Sequence, residues 1–75
     1  MRTRADHIVK SAIGRSVKQL RLSLSLSQSD LAERSETNQR FVSQLERGVA
    51  NPTLDTILRI ARALRVDVAE LFGPK

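Results

Sequence analysis

The sequence predicts an all-α fold of five helices in one small domain. Apolar residues recur at the three- and four-residue spacing of a helix along most of the chain. Polar residues that favour helix N-caps precede several of these segments. No second run of β-branched or aromatic residues at period two is present to pair with a strand. A chain of 75 residues has enough interior for a single thin core, so no linker or second domain is expected.

The composition excludes several classes of protein. Hydrophobic residues make up 40% of the chain and charged residues 28%, which is typical of a globular protein. No apolar run reaches transmembrane length and no signal peptide is evident, so we expect a cytoplasmic protein without membrane contact. Cysteine is absent, which excludes a disulfide framework and a thiolate metal site. The net charge of +5 favours a polyanionic partner, although a solvated basic face accounts for it equally well.

The first helix is predicted from Ile8 to Leu22. Residues 1–7 lack apolar periodicity and are interpreted as a flexible basic arm ahead of a domain spanning residues 8–75. Within the helix, one stripe at helical spacing is expected to face the core. Its members are Ile13, Val17 and Leu20.

The stretch that follows alternates leucine and serine, which in isolation is the pattern of a half-buried strand. Because the chain offers that strand no partner, we interpret the stretch as a turn at Ser25 leading into a second helix. Ser27 is the expected N-cap of that helix, Gln28 to Arg34, and Asp30 at the third position closes a capping box.

The third helix is predicted from its N-cap, Asn38, to Glu46, with Gly48 in the left-handed conformation just beyond its end. Thr53 is the expected N-cap of a fourth helix. A last short helix, Val68 to Phe72, follows a cap formed by Asp67 and Glu70. The inward stripe of the fourth helix is predicted to comprise Leu54, Ile57, Leu58, Ala61 and Leu64.

The second and third helices, separated by about three residues, have the form of a helix-turn-helix. Helical spacing places Phe41, Val42 and Leu45 together on the inner side of the third helix. Glutamine can pair with adenine in the major groove and arginine with guanine. An exposed helix often carries such residues, but the helix-turn-helix context favours base reading by the opposite side. The residues on that side are Gln39, Arg40, Ser43 and Gln44.

Residues 27–48 resemble the helix-turn-helix of the XRE family, which includes the lambdoid phage repressors and Cro. The resemblance extends over roughly residues 12–72. It implies a lambda repressor-like DNA-binding domain and a two-fold dimer on a palindromic operator in double-stranded DNA. The matching residues are Gln28, Leu31-Ala32, Val42-Ser43, Glu46-Arg47-Gly48, Asn51-Pro52-Thr53-Leu54, Ala63-Leu64, Val66 and Glu70-Leu71.

The resemblance also assigns roles to individual residues. It implies a structural ion pair between Arg21 and Glu46, in place of two free surface charges. Ser25 and Glu36 stand where the family usually has glycine, so we expect left-handed backbone at both positions. The DNA backbone contacts that it implies are Ser27, Gln28, Asn38 and Arg47.

These observations predict a sequence-specific transcriptional regulator that blocks or recruits RNA polymerase. An antitoxin or protein-bridging module with the same fold remains an alternative, and the third helix also resembles that of restriction-modification controller proteins. An enzyme is disfavoured because the chain has no cysteine, no phosphate-binding glycine loop and no His-containing cluster, and its carboxylates are scattered over helix surfaces. His7 is expected to be an ordinary surface residue. No cofactor or metal is expected.

The roles of two groups of residues stay open. The arm, with Arg2 and Arg4, would either touch DNA or remain a free tail. Five apolar residues would form a dimer surface or complete the core: Ile8, Val9, Ile60, Val68 and Phe72.

Overall fold

The computed structural model describes residues 4–73, which form four α-helices and a terminal 3₁₀-helix. Within this range, no helix is long and apolar enough to cross a membrane. The all-helical prediction is confirmed, although the fifth element is a 3₁₀-helix. The elements are α1 (Arg4–Ser23), α2 (Gln28–Arg34), α3 (Gln39–Glu46), α4 (Leu54–Ala63) and the 3₁₀-helix (Val68–Phe72).

Helix α1 begins four residues earlier than predicted, so the prediction of a flexible arm is wrong for residues 4–7. This first turn contains Arg4 and Ala5, which favour helix, and Asp6, whose charge complements the helix dipole. Such a turn needs no apolar stripe, which is why periodicity missed it. Residues 1–3, including Arg2, lie outside the described part of the chain.

The predicted N-caps of three helices are confirmed. The Ser27 hydroxyl accepts a hydrogen bond from the Asp30 N–H at 2.9 Å, and the Ser27 N–H donates to Asp30 Oδ2 at 2.9 Å. The backbone hydrogen bond from Ser27, followed by that of its hydroxyl, holds the pKa of Asp30 below its ordinary value of 3.8. Asn38 accepts from the Phe41 N–H at 2.8 Å and Thr53 from the Thr56 N–H at 3.1 Å. These caps explain why the helix starts were predictable from local sequence.

The turns adopt the predicted left-handed conformations. Ser25 has φ 58° and Glu36 has φ 57°, where the family usually has glycine, and Gly48 has φ 78°. Arg65, after α4, also has φ 60°, which the sequence analysis did not anticipate. The three non-glycine residues therefore carry local backbone strain.

The core lies where the four α-helices and the 3₁₀-helix meet. Ile60 is fully buried and completes it, so its assignment to a dimer surface is excluded. Leu54 and Leu58 are 70% and 39% exposed, so their placement in the inward stripe of α4 is wrong. Val68 is half-buried against the core. The buried apolar residues that form the core cluster are Ile13, Val17, Leu31, Ala32, Val42, Leu45, Ala50, Ile57, Ile60, Ala61, Leu64 and Leu71.

Helix α1 crosses the end of α3 at Gly14. A Cβ atom added at Gly14 would lie 2.5 Å from the Leu45 carbonyl oxygen and 2.6 Å from that of Glu46. Such distances are far inside van der Waals contact with backbone atoms. Gly14 is therefore the residue that permits α1 to approach α3 this closely.

Candidate DNA-binding surface

Helix α3 has one buried and one accessible side. Val42 and Leu45 are 0% and 3% exposed, and they anchor the helix to the core. Gln39 and Arg40 are exposed, whereas Ser43 and Gln44 are half-buried. The predicted polar side is thus accessible along its length, and Gln39 and Arg40 in the first turn are its more exposed members.

The turn between α2 and α3 is held by hydrogen bonds. The Thr37 N–H donates to the Ala32 carbonyl oxygen at 2.8 Å. The buried Ser35 hydroxyl donates to the Leu31 carbonyl oxygen at 2.7 Å and lies 2.9 Å from the Thr37 hydroxyl. These contacts, with the small Ala32 at the crossing, fix α2 and α3 as one rigid unit.

The Arg21–Glu46 ion pair is present and nearly buried, with side-chain exposures of 9% and 4%. Arg21 Nε donates to Glu46 Oε2 at 2.6 Å and Nη2 donates to Oε1 at 3.0 Å. Arg21 Nη1 donates to the Leu26 carbonyl oxygen at 2.8 Å. The hydrogen bonds to Glu46 raise the pKa of the Arg21 guanidinium above its ordinary value. The pair ties α1 to the end of α3 and to the turn before α2.

Two glutamines continue this network to the surface. Gln28 Nε2 donates to Glu46 Oε1 at 3.0 Å, and Gln39 Nε2 donates to Gln28 Oε1 at 2.7 Å. A continuous chain of hydrogen bonds therefore connects the buried ion pair to Gln39, an exposed residue that is predicted to read bases. The sequence analysis did not predict this chain. The sequence feature that could have indicated this chain is that Gln28 and Gln39 each occupy the first position of a helix of the helix-turn-helix.

The four predicted DNA backbone residues lie at helix ends. Ser27, Asn38 and Arg47 are exposed and Gln28 is half-buried. Ser27 and Asn38 already act as caps, so each has a structural role beside its predicted one. Asn38 can still donate its amide protons.

No metal site accompanies this surface. Residues 4–73 contain no group of three or more His, Asp or Glu side chains that could hold a metal ion. His7 is exposed on the first part of α1. The chemistry of the surface is therefore that of amide, hydroxyl and guanidinium groups.

A rigid pair of short helices, with the second presenting amide and guanidinium groups over a buried apolar side, defines a helix-turn-helix module. The family model described as Helix-turn-helix (HTH_3) matches residues 17–71. The chain therefore belongs to this helix-turn-helix family, in its XRE-type class of transcriptional regulators.

Relatives and solved structures agree with this assignment. The chain is 36% identical over 66 residues to the HTH-type transcriptional regulator y4dJ of Sinorhizobium fredii, covering 88% of this chain and 86% of that protein. It is 38% identical over 65 residues to Control protein C.BamHI of Bacillus amyloliquefaciens, covering 85% and 80%. The crystal structure of the restriction-modification controller protein C.AhdI from Aeromonas hydrophila superposes with a TM-score of 0.81 at 36% identity, covering 84% of this chain and 96% of C.AhdI.

Proposed function

We propose that the protein binds an operator in double-stranded DNA by inserting α3 into the major groove. The observation that carries this proposal is the division of α3 into a buried apolar side and an accessible side bearing Gln39 and Arg40. The major groove admits one α-helix, and each base pair there presents a distinct set of donors and acceptors. The rigid contact with α2 keeps α3 in a fixed orientation as it enters.

In this arrangement the residues divide into two groups. Gln39, Arg40, Ser43 and Gln44 read base edges, with Arg40 suited to guanine O6 and N7. Ser27, Gln28, Asn38 and Arg47 contact phosphates and so set the register without reading sequence. The start of α2 adds backbone N–H groups, which attract phosphate.

The first prediction separates these two roles. Arg40→Ala should relax preference at one base pair by about 5- to 150-fold, which corresponds to about 1–3 kcal/mol. Arg47→Ala should weaken binding to all sequences alike and reduce the dependence of log Kd on log salt by about 0.9. The measurement is selection of bound duplexes from a random pool, followed by titration of the selected site at several salt concentrations. Equal losses on specific and nonspecific DNA for both variants would contradict the assignment of Arg40.

We further propose that two copies bind a palindromic operator. On such an operator, the two α3 helices of a two-fold dimer would lie about one DNA turn, ~34 Å, apart. Leu54 and Leu58 form an exposed apolar strip on the first half of α4, one turn apart on the same side. This strip follows the loop that leaves α3, so a self-complementary contact there would bring the two recognition helices together.

The second prediction tests this strip. Leu54→Glu with Leu58→Glu should convert a dimer into a monomer and weaken binding to the full palindrome more than to a half-site. The matched control is Ile8→Glu with Val9→Glu, which places the same charges on exposed apolar residues of α1. Molecular mass in solution distinguishes the two variants. If the control variant is monomeric while the Leu54→Glu, Leu58→Glu variant stays dimeric, the interface lies on α1 and the proposed strip is wrong.

The similarity to C.BamHI and C.AhdI supports a narrower proposal, that the protein is a controller of a restriction-modification system. Such a role would consist of operator occupancy that blocks or recruits RNA polymerase. The sequence selected in the first experiment tests it: we expect that sequence upstream of an endonuclease or methyltransferase gene in the source genome.

A further inference from the structure

We propose that the Glu46 carboxylate determines which way the Gln39 amide faces DNA. Glu46 would then be a positioning residue for base choice, although it does not itself reach the bases. The inference rests on the proposed function, because it assumes that Gln39 reads a base. The observation behind it is the chain of hydrogen bonds from Arg21 through Glu46 and Gln28 to Gln39.

The first step concerns Gln28. A carboxylate paired with a guanidinium has no proton to donate, so Glu46 can only accept hydrogen bonds. Gln28 must therefore turn its Nε2 group toward Glu46, as it does at 3.0 Å. The Gln28 Oε1 atom is then forced to the other side, toward the surface. The direction of this amide follows from the chemistry of Glu46, which is only 4% exposed and held by Arg21.

The second step concerns Gln39. Because Gln28 Oε1 can only accept, Gln39 must turn its own Nε2 group inward, and this contact measures 2.7 Å. Gln39 then has its Oε1 atom and its second N–H available for DNA. An acceptor beside a donor complements adenine, which offers the N6 amino group and N7. Guanine offers O6 and N7, which are both acceptors, so one of them would face the Gln39 Oε1 atom without a hydrogen bond.

The direction of the chain can be reversed without touching Gln39. In a Glu46→Gln variant, Arg21 N–H groups face both positions of the new amide, so the amide can present either its oxygen or its N–H group to Gln28. Where the N–H group faces Gln28, Gln28 presents Oε1 inward and Nε2 outward, and Gln39 follows by turning its Nε2 group to the DNA. In a Gln28→Lys variant, the ammonium group donates to Glu46 and to Gln39, with the same result. Two outward N–H groups complement guanine.

The experiment measures base preference at one position. Gln39→Ala first identifies the base pair that Gln39 reads, as the pair whose preference is lost in selection from a random pool. Kd is then measured on two duplexes that differ only there, with adenine or guanine. We expect the unmodified protein to favour adenine, and Glu46→Gln and Gln28→Lys each to lower the adenine-to-guanine ratio by about threefold or more. The ratio is insensitive to partial unfolding, because an inactive fraction weakens binding to both duplexes equally.

Two variants serve as matched controls. Glu33→Gln removes one negative charge from the exposed side of α2, and Ser29→Lys adds one positive charge next to Gln28. Both should leave the adenine-to-guanine ratio within about twofold of the original, since charge alone carries no base information. If Gln39→Ala relaxes one pair while Glu46→Gln and Gln28→Lys leave its ratio unchanged, the positioning role is wrong and base reading stands. If Gln39→Ala relaxes no pair, base reading by Gln39 fails and the positioning role fails with it.

Discussion

Gly14→Ala should destabilise the protein by about 3 kcal/mol or more, although alanine normally favours a helix over glycine by about 1 kcal/mol. The new Cβ would lie 2.5 Å and 2.6 Å from two carbonyl oxygens at the end of α3, and neither is a flexible side chain that can turn away. Helix α1 would have to move off α3 to relieve the contact. For a domain whose whole stability is about 5–15 kcal/mol, this is a large fraction. Urea denaturation of the variant and the unmodified protein measures the difference.

Gln19→Ala is the control for this change, because it places alanine on an exposed position of the same helix. Its effect should stay within about 0.5 kcal/mol. A Gly14→Ala protein as stable as the original would mean that α1 and α3 do not approach at this point. The expected displacement also predicts weaker operator binding, since Glu46 and Gln28 are aligned by the same crossing.

Much of the fold was predictable because its helix boundaries are set by local chemistry. Ser27, Asn38 and Thr53 cap their helices with their own side chains, and each cap needs only residues within three positions. The left-handed positions at Ser25 and Glu36 followed from the family resemblance, and Arg65 was missed because no glycine or asparagine marks it. The start of α1 was missed because its first turn makes no core contact.

The inward side of α4 was only partly predictable. Two overlapping stripes run along this helix, since Ile57, Ala61 and Leu64 fit both a stripe with Leu54 and Leu58 and one with Ile60. Helical periodicity cannot choose between them, because the choice depends on where α2 and the 3₁₀-helix pack against α4. In the structure Ile60 is fully buried, whereas Leu54 extends past the edge of the core. Long-range packing therefore decided what the local pattern left undetermined.

The candidate site was likewise only partly predictable from the sequence. The accessible polar side of α3 was predictable, because it is the geometric complement of Val42 and Leu45. The Gln28–Gln39 contact was not predictable, since it joins residues on different helices and depends on the angle between α2 and α3. Gly14 gave a signal that was not used: a glycine inside a helical pattern indicates close approach of another segment.

Arg21→Met should destabilise the protein by about 3–5 kcal/mol, because it leaves the Glu46 carboxylate buried without its cation. Glu46 is 4% exposed, and Gln28 would be its one remaining hydrogen-bond donor. The Leu26 carbonyl oxygen would also lose its bond from Arg21, which weakens the turn leading into α2. Chemical denaturation measures this loss. Arg15→Met is the control, since Arg15 is exposed on the same helix, and its effect should stay within about 0.5 kcal/mol.

The double variant Arg21→Met with Glu46→Leu distinguishes an unpaired charge from lost packing. Replacing both members of a buried ion pair by apolar residues is often neutral or stabilising, so the double variant should be more stable than Arg21→Met alone. A double variant less stable than Arg21→Met would show that the Glu46 carboxylate stabilises the protein even without its cation, through its hydrogen bond with Gln28. Recovered stability with altered base preference would separate the two roles of Glu46, because leucine removes the charge and also the acceptor that orients Gln28.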